Sequence, residues 1–419
     1  MLDVKMVRTD PDAVRESLRR RGAPTSLLDE FLEVEEQRRG LVGEVEAMRA
    51  ERKTASEAIG ARKKAGENAS AEMAATRELG ERIKSKEAEL AESESRLREL
   101  LIAIPNIVLP DVPEGGEDDA VVLREVGEIP TFDFEPKDHV DLGVPLDVID
   151  TERAAKVSGS RFVYIKGDLV LLEFALVRYG LDVVTSKGFR PVVPPVLVRE
   201  EAMYGTGFFP TDEQQIYRTT DGDCLVGTSE VPLAGLHMDE FLEADALPLR
   251  YAGFSTCFRR EAGAAGKDTR GILRVHQFDK LEMFSFCLPE QSSAEHELIR
   301  SVEEGVLQGL GLPYRLVNIA AGDLGAPAAK KYDCEAWMPG QERYREVTSC
   351  SNCTDYQARR LNCRYRTESG PRFVHTLNGT TIAMGRTIIA IMENYQRADG
   401  TIAVPPALVP YVGKETIGG

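Results

Sequence analysis

The first hundred residues carry mostly apolar side chains at steps that alternate between four and three positions. In the first half these positions are Leu27, Phe31, Val34, Arg38, Leu41, Val45, Met48, Arg52, Ala55 and Ile59, and in the second half Leu79, Ile83, Lys86, Leu90, Ser93, Leu97, Leu100 and Ile104. Such heptad spacing is typical of a coiled-coil seam. No proline lies between Pro24 and Pro105, so the pattern predicts two long, uninterrupted helices.

The two helical seams are separated by a short turn-like segment, residues 65–70, with the sequence Ala-Gly-Glu-Asn-Ala-Ser. Ser70 is a candidate N-cap for the second helix, because a serine hydroxyl can accept a hydrogen bond from the first helical turn. Two seams joined by one turn predict an antiparallel hairpin. Each helix, at about 35 residues and 1.5 Å per residue, would be roughly 50 Å long.

The pattern changes after the second helix. Pro105, Pro110, Pro113 and the pair Gly115-Gly116 predict a linker at about 105–120, which divides the chain into residues 1–105 and 106–419. The second part alternates short β-rich runs with helices. It lacks a G-x-G-x-x-G fingerprint and long strand–helix–strand repeats, which disfavours a doubly wound parallel sheet. The expected class is therefore α+β, with a helical arm before a sheet-containing domain.

Charge narrows the possible partners. The 419 residues suffice for two domains and carry a formal net charge of −17, which argues against a nonspecific nucleic-acid binder, since such proteins are usually basic. Any RNA contact must then depend on a local basic patch, and no DNA partner is expected. Basic residues do cluster near the hairpin tip, although composition alone favours a solvated helix surface there. They are Arg49, Arg52, Lys53, Arg62, Lys63 and Lys64.

Two further features concern location and cysteine chemistry. No run of 18 apolar residues and no apolar leader segment is present, so we expect a soluble, cytoplasmic protein without a membrane partner. The cytosol keeps cysteines reduced. Cys350, Cys353 and Cys363 could suggest zinc, but a fourth ligand and a second paired motif are missing. Small buried thiols are the favoured interpretation of these cysteines.

The most informative segment runs from Phe254 to Phe286, where two strand-like stretches flank a glycine-rich loop. The charged and aromatic residues at the loop shoulders are Arg259, Glu261, Arg274, Phe278 and Glu282, and the loop itself contains Gly263, Gly266, Lys267, Asp268 and Gly271. Arginine forks bind phosphate oxygens in a bidentate way, and an aromatic face can stack on a base. The pattern therefore favours polyphosphate and nucleotide binding over an ordinary surface hairpin.

This segment resembles motif 2 of the class II aminoacyl-tRNA synthetases, and its sequence is similar to that of the seryl-tRNA synthetase family. Thr228-Ser229-Glu230 resembles the T-x-E loop of that family, residues 377–396 resemble motif 3, and residues 168–198 resemble motif 1. The resemblance covers essentially the whole chain. It implies an antiparallel β-sheet flanked by helices, behind an antiparallel coiled-coil arm. It also implies a homodimer, with Pro195 as the motif 1 proline at the interface; the adjacent Pro194 is an alternative.

The resemblance further implies ATP-dependent activation of L-serine to seryl-adenylate and pyrophosphate, followed by transfer of serine to the 3′ end of tRNA(Ser), and of tRNA(Sec) as well. Arg259, Arg386 and Glu346 would be the catalytic residues. ATP would be bound by Arg259, Arg260, Glu261, Arg274, Val275, Phe278, Glu346, Val347, Thr348, Ser349 and Arg386. Serine would be bound by Thr228, Ser229, Glu230, Glu282, Asn378 and Thr380. Glu346 and Ser349 would hold Mg²⁺, a cation that prefers oxygen ligands, and the basic hairpin tip would bind the tRNA.

Three alternatives remain open at this stage. An amino-acid ligase of the same fold could charge a carrier protein, although such relatives lack the helical arm. A regulatory paralogue could have lost catalysis, but it would be expected to lose Arg259, Glu346 or Arg386. A coiled-coil adaptor protein would explain the hairpin and leave the catalytic motifs without a role.

Overall fold

The computed structural model describes residues 1–263, 266, 268 and 270–418. It divides into two compact units. One, the arm unit, consists of residues 2–19 and 23–105; the other, the sheet unit, consists of residue 1, residues 20–22 and the chain from Asn106 onward. No helix in the described residues combines the length and the apolar character needed to cross a membrane.

The arm unit is entirely helical. Its helices are α1 (Val4–Thr9), α2 (Pro11–Arg20, whose last residue belongs to the sheet unit), α3 (Ser26–Lys64) and α4 (Ser70–Ala103). Helices α3 and α4 form the predicted antiparallel hairpin, with Phe31, Val45, Leu79, Ile83 and Leu97 buried along the seam. The seam begins one position later than expected, because Leu28 is buried and Leu27 is only partly so.

The tip of the hairpin differs from the prediction in one detail. Ser70 is the first residue of α4 and not its N-cap; the N-cap is Ala69, which has no side chain to cap the helix. Instead, Asn68 Oδ1 accepts hydrogen bonds from the amide (3.0 Å) and the hydroxyl (2.7 Å) of Ser70. The asparagine side chain therefore closes the turn locally, an arrangement that competes well with serine capping.

Burial in the hairpin is uneven. Between Val45 and Leu79 only Ala69 is buried, so the outer part of the hairpin has almost no core. Ion pairs connect the helices instead: Lys86 Nζ lies 3.3 Å from Glu44 Oε2, and Arg49 pairs with Glu87 at 2.7 Å. Such exposed pairs each contribute little, about 0–1 kcal/mol.

The sheet unit is built around one large sheet. Its strands and those of the smaller sheets are β1 (Val121–Val126), β2 (Ile149–Asp150), β3 (Tyr164–Ile165), β4 (Arg190–Val192), β5 (Leu197–Val198), β6 (Cys224–Leu225), β7 (Phe241–Leu242), β8 (Leu249–Phe258), β9 (Gln277–Cys287), β10 (Tyr314–Asn318), β11 (Lys330–Met338), β12 (Arg343–Asn352), β13 (Arg364–Thr367), β14 (Gly370–Phe373), β15 (His375–Ala383), β16 (Ile402–Ala403) and β17 (Thr416–Ile417). Its helices are α5 (His139–Gly143), α6 (Thr151–Ser158), α7 (Asp168–Ser186), α8 (Glu200–Thr206), α9 (Glu230–Gly235), α10 (Ser292–Gly309), α11 (Tyr356–Leu361), α12 (Met384–Asn394) and α13 (Val409–Val412).

The large sheet has the strand order β1-β10-β11-β12-β15-β9-β8-β4. All neighbouring pairs are antiparallel except β4 and β8 at one edge, which are parallel. Helices α7, α10 and α12 pack against the sheet through buried side chains such as Leu172, Ile299 and Ile388. The α+β class with an antiparallel sheet flanked by helices is confirmed.

The predicted strand–loop–strand element is the β8–β9 hairpin, paired from Leu249↔Phe286 to Phe258↔Gln277. Side chains alternate between the two faces of a strand, and Phe278, Lys280 and Glu282 of β9 all line the same cavity. The glycine-rich loop between the strands includes Lys267, which lies outside the described residues.

The loop returns to the sheet through Gly271, whose φ of +74° is in the left-handed region. A Cβ atom there would collide with Nε2 of His139. This ring nitrogen accepts a hydrogen bond from the Ile272 amide (3.2 Å), and Nδ1 lies 3.0 Å from Glu393 Oε1 in α12. The buried histidine thus ties the end of the loop to α12.

We expect Gly271→Ala to destabilise the fold and weaken ATP binding, since it combines an unfavourable φ with a collision in a packed site. Gly400→Ala is the matched control: its φ is +83° but no atom lies within 4 Å of the added carbon. The control should cost only the backbone term, about 1 kcal/mol. Thermal denaturation and ATP titration of both variants check this. Equal losses of stability in both variants would contradict the proposed collision.

Candidate functional site

A cavity of about 410 Å³ opens above the centre of the large sheet. Side chains from β9, β11, β12, β15 and α12 line it, together with Arg259, which directly follows β8, and the segment around Thr228. It brings together most of the residues singled out in the sequence. They are Thr228, Glu230, Arg259, Glu261, Arg274, Val275, Phe278, Glu282, Glu346, Val347, Thr348, Ser349, Asn378, Thr380 and Arg386.

Two residues predicted to bind ATP or serine are not among the cavity-lining residues. Ser229 is fully buried, and its hydroxyl bonds to Ser255 Oγ (2.8 Å) and the Gly253 carbonyl (3.2 Å) in β8. Arg260 is exposed, with its guanidinium 6.0 Å from the ring centre of Tyr217. Both are the middle residues of their motifs.

One end of the cavity is rich in cations and has one aromatic ring. The Arg259 guanidinium lies 5.3 Å from the centre of the Phe278 ring, and its Nε donates to the Gly227 carbonyl (3.2 Å). Among the described residues no carboxylate forms an ion pair with Arg259. Arg274 lies 3.6 Å from Glu261 Oε2. The free arginine fork is available for an anionic ligand, and the ring for a stacked base.

The opposite wall of this end is formed by Glu346 and Arg386. Arg386 NH1 donates to the Glu346 carbonyl (2.9 Å) and lies 3.2 Å from its Oε2. Burial alone would raise the pKa of the Glu346 carboxyl, but the nearby charges of Arg386, Lys331 and Arg259 outweigh this effect and lower the pKa. Glu346 is therefore ionised at neutral pH.

Glu346 and Ser349 fit a divalent cation that takes most of its ligands from a bound polyphosphate. The glutamate is ionised, the serine hydroxyl lines the same cavity, and Mg²⁺ typically uses one or two protein oxygens besides phosphate and water. In the described residues no cluster of three or more histidine, cysteine, aspartate or glutamate side chains is arranged to hold a metal. All seven cysteines are free and buried.

The other end of the cavity is small and holds two carboxylates. Glu230 Oε1 accepts hydrogen bonds from Gln357 Nε2 (2.8 Å) and Asn378 Nδ2 (3.0 Å). Its second oxygen has no partner among the described residues. Glu282 Oε2 accepts from the Thr380 hydroxyl (3.0 Å) and lies 2.7 Å from Lys280 Nζ. Each carboxylate thus uses one oxygen within the protein and keeps the other for a ligand.

The sequence analysis did not identify as binding residues the two cavity lysines, Lys280 and Lys331, or Gln357, which bonds to Glu230. Lys280 could have been found, because strand alternation places it on the same face as Phe278 and Glu282. Lys331 reaches the cavity from β11, and Gln357 lies in α11. No local motif marks either residue, since their place in the site depends on strand pairing and helix packing far along the chain.

Glu230 should make ligand binding depend on pH. Burial, and then repulsion from Glu282, raise the pKa of its carboxyl to about 7. An amino acid whose ammonium binds this group needs it ionised, so binding should weaken as pH falls below 7. We expect the Kd for serine to be about tenfold higher at pH 6 than at pH 8, as for any site that must lose one proton of this pKa.

Isothermal titration calorimetry between pH 5.5 and 8 measures this effect. Titration at pH 6 in two buffers of different ionisation enthalpy should also detect the release of about one proton per serine bound. At pH 8 the released proton should disappear. A Kd that stays constant across the range would contradict ammonium binding at Glu230.

The remaining predicted residues lie outside the cavity. At the hairpin tip Arg49 and Arg62 are engaged in ion pairs with glutamates of the arm. Arg52, Lys53, Lys63 and Lys64 are exposed and have no ion pair among the described residues. Pro195 is exposed between β4 and β5, next to the buried Pro194.

Comparison with known proteins gives a consistent result along the whole chain. The model for the seryl-tRNA synthetase N-terminal domain matches residues 1–108, and that for the tRNA synthetase class II core domain (G, H, P, S and T) matches residues 215–395. Proteins called serine–tRNA ligase are 52% identical in Nocardia farcinica and 51% identical in Acidothermus cellulolyticus. In both cases the match covers 100% of this chain and 99% of the relative.

Solved structures agree with these relatives. Seryl-tRNA synthetase from Pyrococcus horikoshii, complexed with ATP, superposes with a TM-score of 0.96 at 45% identity, covering 100% of this chain and 99% of that one. The cytoplasmic serine–tRNA ligase from Naegleria fowleri, in complex with AMP, superposes with a TM-score of 0.91 at 34% identity, covering 100% of this chain and 98% of that one.

Proposed function

The chain belongs to the seryl-tRNA synthetase family, ligases that join serine to tRNA, and from this premise we propose a specific role for each part of its cavity. The observation that carries the proposal is the division of one cavity into two ends. One end has several cations and a stacking ring, and the other is a small pocket with two carboxylates. These ends fit ATP and serine, respectively.

In the first step the serine carboxylate attacks the α-phosphorus of ATP, forming seryl-adenylate and releasing pyrophosphate. Both reactants are anionic, so the site must supply positive charge and fixed orientation. Arg259 binds the α-phosphate and the serine carboxylate together. Arg274 and Arg386 bind the outer phosphates, and the adenine lies between Phe278 and Arg386, with Glu261 accepting from its amino group.

Glu346 and Ser349 would hold Mg²⁺, which would supply charge neutralisation for the phosphates of ATP. Arg386 contacts the Glu346 carboxylate and carbonyl, and so orients the carboxylate before ATP binds.

The small pocket holds the serine side of the reaction. The unpartnered oxygen of Glu230 accepts from the serine ammonium, beside Thr228, and Glu282 accepts from the serine hydroxyl beside Thr380. Asn378 holds Glu230 in place through the 3.0 Å bond. Alanine cannot make the hydroxyl contact, and a site built around such a contact can reject the analogue lacking it by factors of about 10⁴.

In the second step serine passes to the 3′ end of tRNA(Ser). The exposed lysines and arginines of the hairpin tip bind the tRNA through its phosphates. A tRNA(Sec) with a long variable arm, which the helical hairpin can bind in the way that it binds tRNA(Ser), is a second substrate. Since the reaction needs tRNA and ATP, we assign the protein to the cytoplasm.

A homodimer is supported by apolar side chains on the elements that resemble motif 1. Phe174 in α7 is 65% exposed and Val193, beside Pro195, is 83% exposed. Helix α7 packs against β4, which precedes Val193. Large apolar residues left in water on adjoining elements are typical of an interface.

Exchange of radioactive pyrophosphate into ATP, measured with each of the twenty amino acids, tests the proposal. We expect exchange with serine only, and charging of purified tRNA(Ser) in a second assay. Exchange without tRNA charging, but with transfer to a carrier protein, would favour the carrier-protein ligase. No exchange with any amino acid would favour a non-catalytic role.

A further inference from the structure

A buried lysine lies beside one of the two carboxylates of the small pocket. Lys280 is only 6% exposed and lines the cavity from β9. Its ammonium donates to the Thr228 hydroxyl (2.8 Å) and lies 2.7 Å from Glu282 Oε2. The roles proposed above for ATP, Mg²⁺ and serine do not use it.

The charges of the pocket need such a group. Two carboxylates close together in a buried site repel each other, and one of them tends to keep a proton. Serine brings a single positive charge, its ammonium, while Arg259 faces its carboxylate. One substrate ammonium can balance only one of the two glutamates. The second glutamate needs a cation from the protein.

The contacts show which glutamate receives that cation. Lys280 forms an ion pair with Glu282, which also accepts from Thr380. Glu230 accepts only from the neutral amides of Gln357 and Asn378. Glu282 is therefore balanced before a ligand arrives, and Glu230 is not.

We propose that Lys280 is a positioning residue that determines specificity, by neutralising Glu282 so that this carboxylate reads a hydroxyl while Glu230 alone receives the ammonium. The inference rests on the proposed binding of serine in this pocket. Lys280 also holds Thr228, the residue next to the ammonium position, through its second hydrogen bond.

The Lys280–Glu282 pair restricts the charge that the ligand's side chain can carry. The group that meets Glu282 must be neutral, because a second ammonium there would approach Lys280. The wild-type pocket should therefore reject 2,3-diaminopropionate, in which an amine replaces the serine hydroxyl. Without Lys280, Glu282 becomes an uncompensated carboxylate, and an ammonium ligand becomes favourable.

Lys280→Met tests this inference, because methionine is similar in length and carries no charge. Pyrophosphate exchange is measured with serine, alanine and 2,3-diaminopropionate. We expect the KM for serine to rise at least tenfold and the preference for serine over alanine to fall by a similar factor. The rate with 2,3-diaminopropionate relative to serine should rise.

Two further variants keep the test independent of folding defects. Lys280→Arg retains the charge and should keep most of the preference for serine over alanine. The double variant Lys280→Met/Glu282→Gln removes both charges, so neither side chain is left as an uncompensated charge. Its loss of serine-dependent exchange should be smaller than the product of the losses in the two single variants. Thermal denaturation identifies any variant that does not fold.

Lys330→Met is the matched control, since Lys330 is another buried lysine of the sheet, 8% exposed and paired with Asp111 outside the cavity. It should affect stability but not the serine-to-alanine ratio. Equal losses for serine and alanine in Lys280→Met, without any gain for 2,3-diaminopropionate, would overturn the inference. A wild-type enzyme that does not select serine would instead overturn the proposed function.

Discussion

Replacing Arg259 by alanine should reduce serine-dependent pyrophosphate exchange by about 100-fold or more, with most of the loss in kcat. Its guanidinium is the one placed over Phe278 without an ion-pair partner among the described residues. A preorganised donor that meets charge developing in the transition state is typically worth about 3 kcal/mol or more. Steady-state exchange kinetics with ATP and serine varied separately give the kcat and KM values.

Arg259→Lys should also be poor, because lysine has the charge but not the fork that spans two anionic groups. Arg397→Ala is a suitable control: this arginine contacts Thr416, outside the cavity, and its loss should not change exchange. Near-normal exchange in Arg259→Ala would exclude the bridging role. A loss confined to the KM for ATP would indicate ground-state binding only.

Shortening the helical hairpin should separate the two steps of the reaction. We expect a variant without residues 45–85 to retain serine-dependent exchange and to lose tRNA charging by about two orders of magnitude or more, the scale expected when several phosphate contacts are lost. The cut follows the structure, since Glu44 and Lys86 face each other across the hairpin and a short glycine–serine linker can join them. All cavity-lining residues lie outside the deleted segment.

A charge reversal at the tip provides a finer version of this experiment. Changing Lys63 and Lys64 to glutamate should raise the KM for tRNA, reduce its salt dependence and leave the KM for serine unchanged. Lys156→Glu, at an exposed position in α6, is a control that reproduces half of this change in net charge away from the hairpin. Parallel loss of exchange and charging in the shortened variant would show that the hairpin is needed for folding or for catalysis.

The sequence predicted best those features that are encoded locally. The heptad spacing predicted the two helices of the hairpin. The charged and aromatic residues on either side of the β8–β9 loop predicted Arg259 and Phe278 as binding residues, and both line the cavity. Ser70 was wrong as an N-cap because Asn68, two residues earlier, already bonds to it. Such competition between neighbouring polar side chains is not visible in propensities.

The carboxylate pocket was only partly predictable. Glu230 and Glu282 were found through their motifs, but Gln357 reaches Glu230 from 127 positions along the chain. The parallel pairing of β4 with β8 at the edge of an antiparallel sheet was also not foreseen. Both depend on how distant segments pack, and a single sequence carries no periodic signal for such contacts.

The nearly coreless outer part of the hairpin has a consequence for the timing of turnover. Local opening requires little free energy where few apolar contacts are broken, so we expect the helices to open more easily between Val45 and Leu79 than along the inner seam. A tRNA that orders this segment must meet the entropy cost of doing so, which lowers its affinity without removing any contact. If the hairpin binds tRNA as proposed, the same cost is recovered on dissociation, and we expect the charged tRNA to leave quickly.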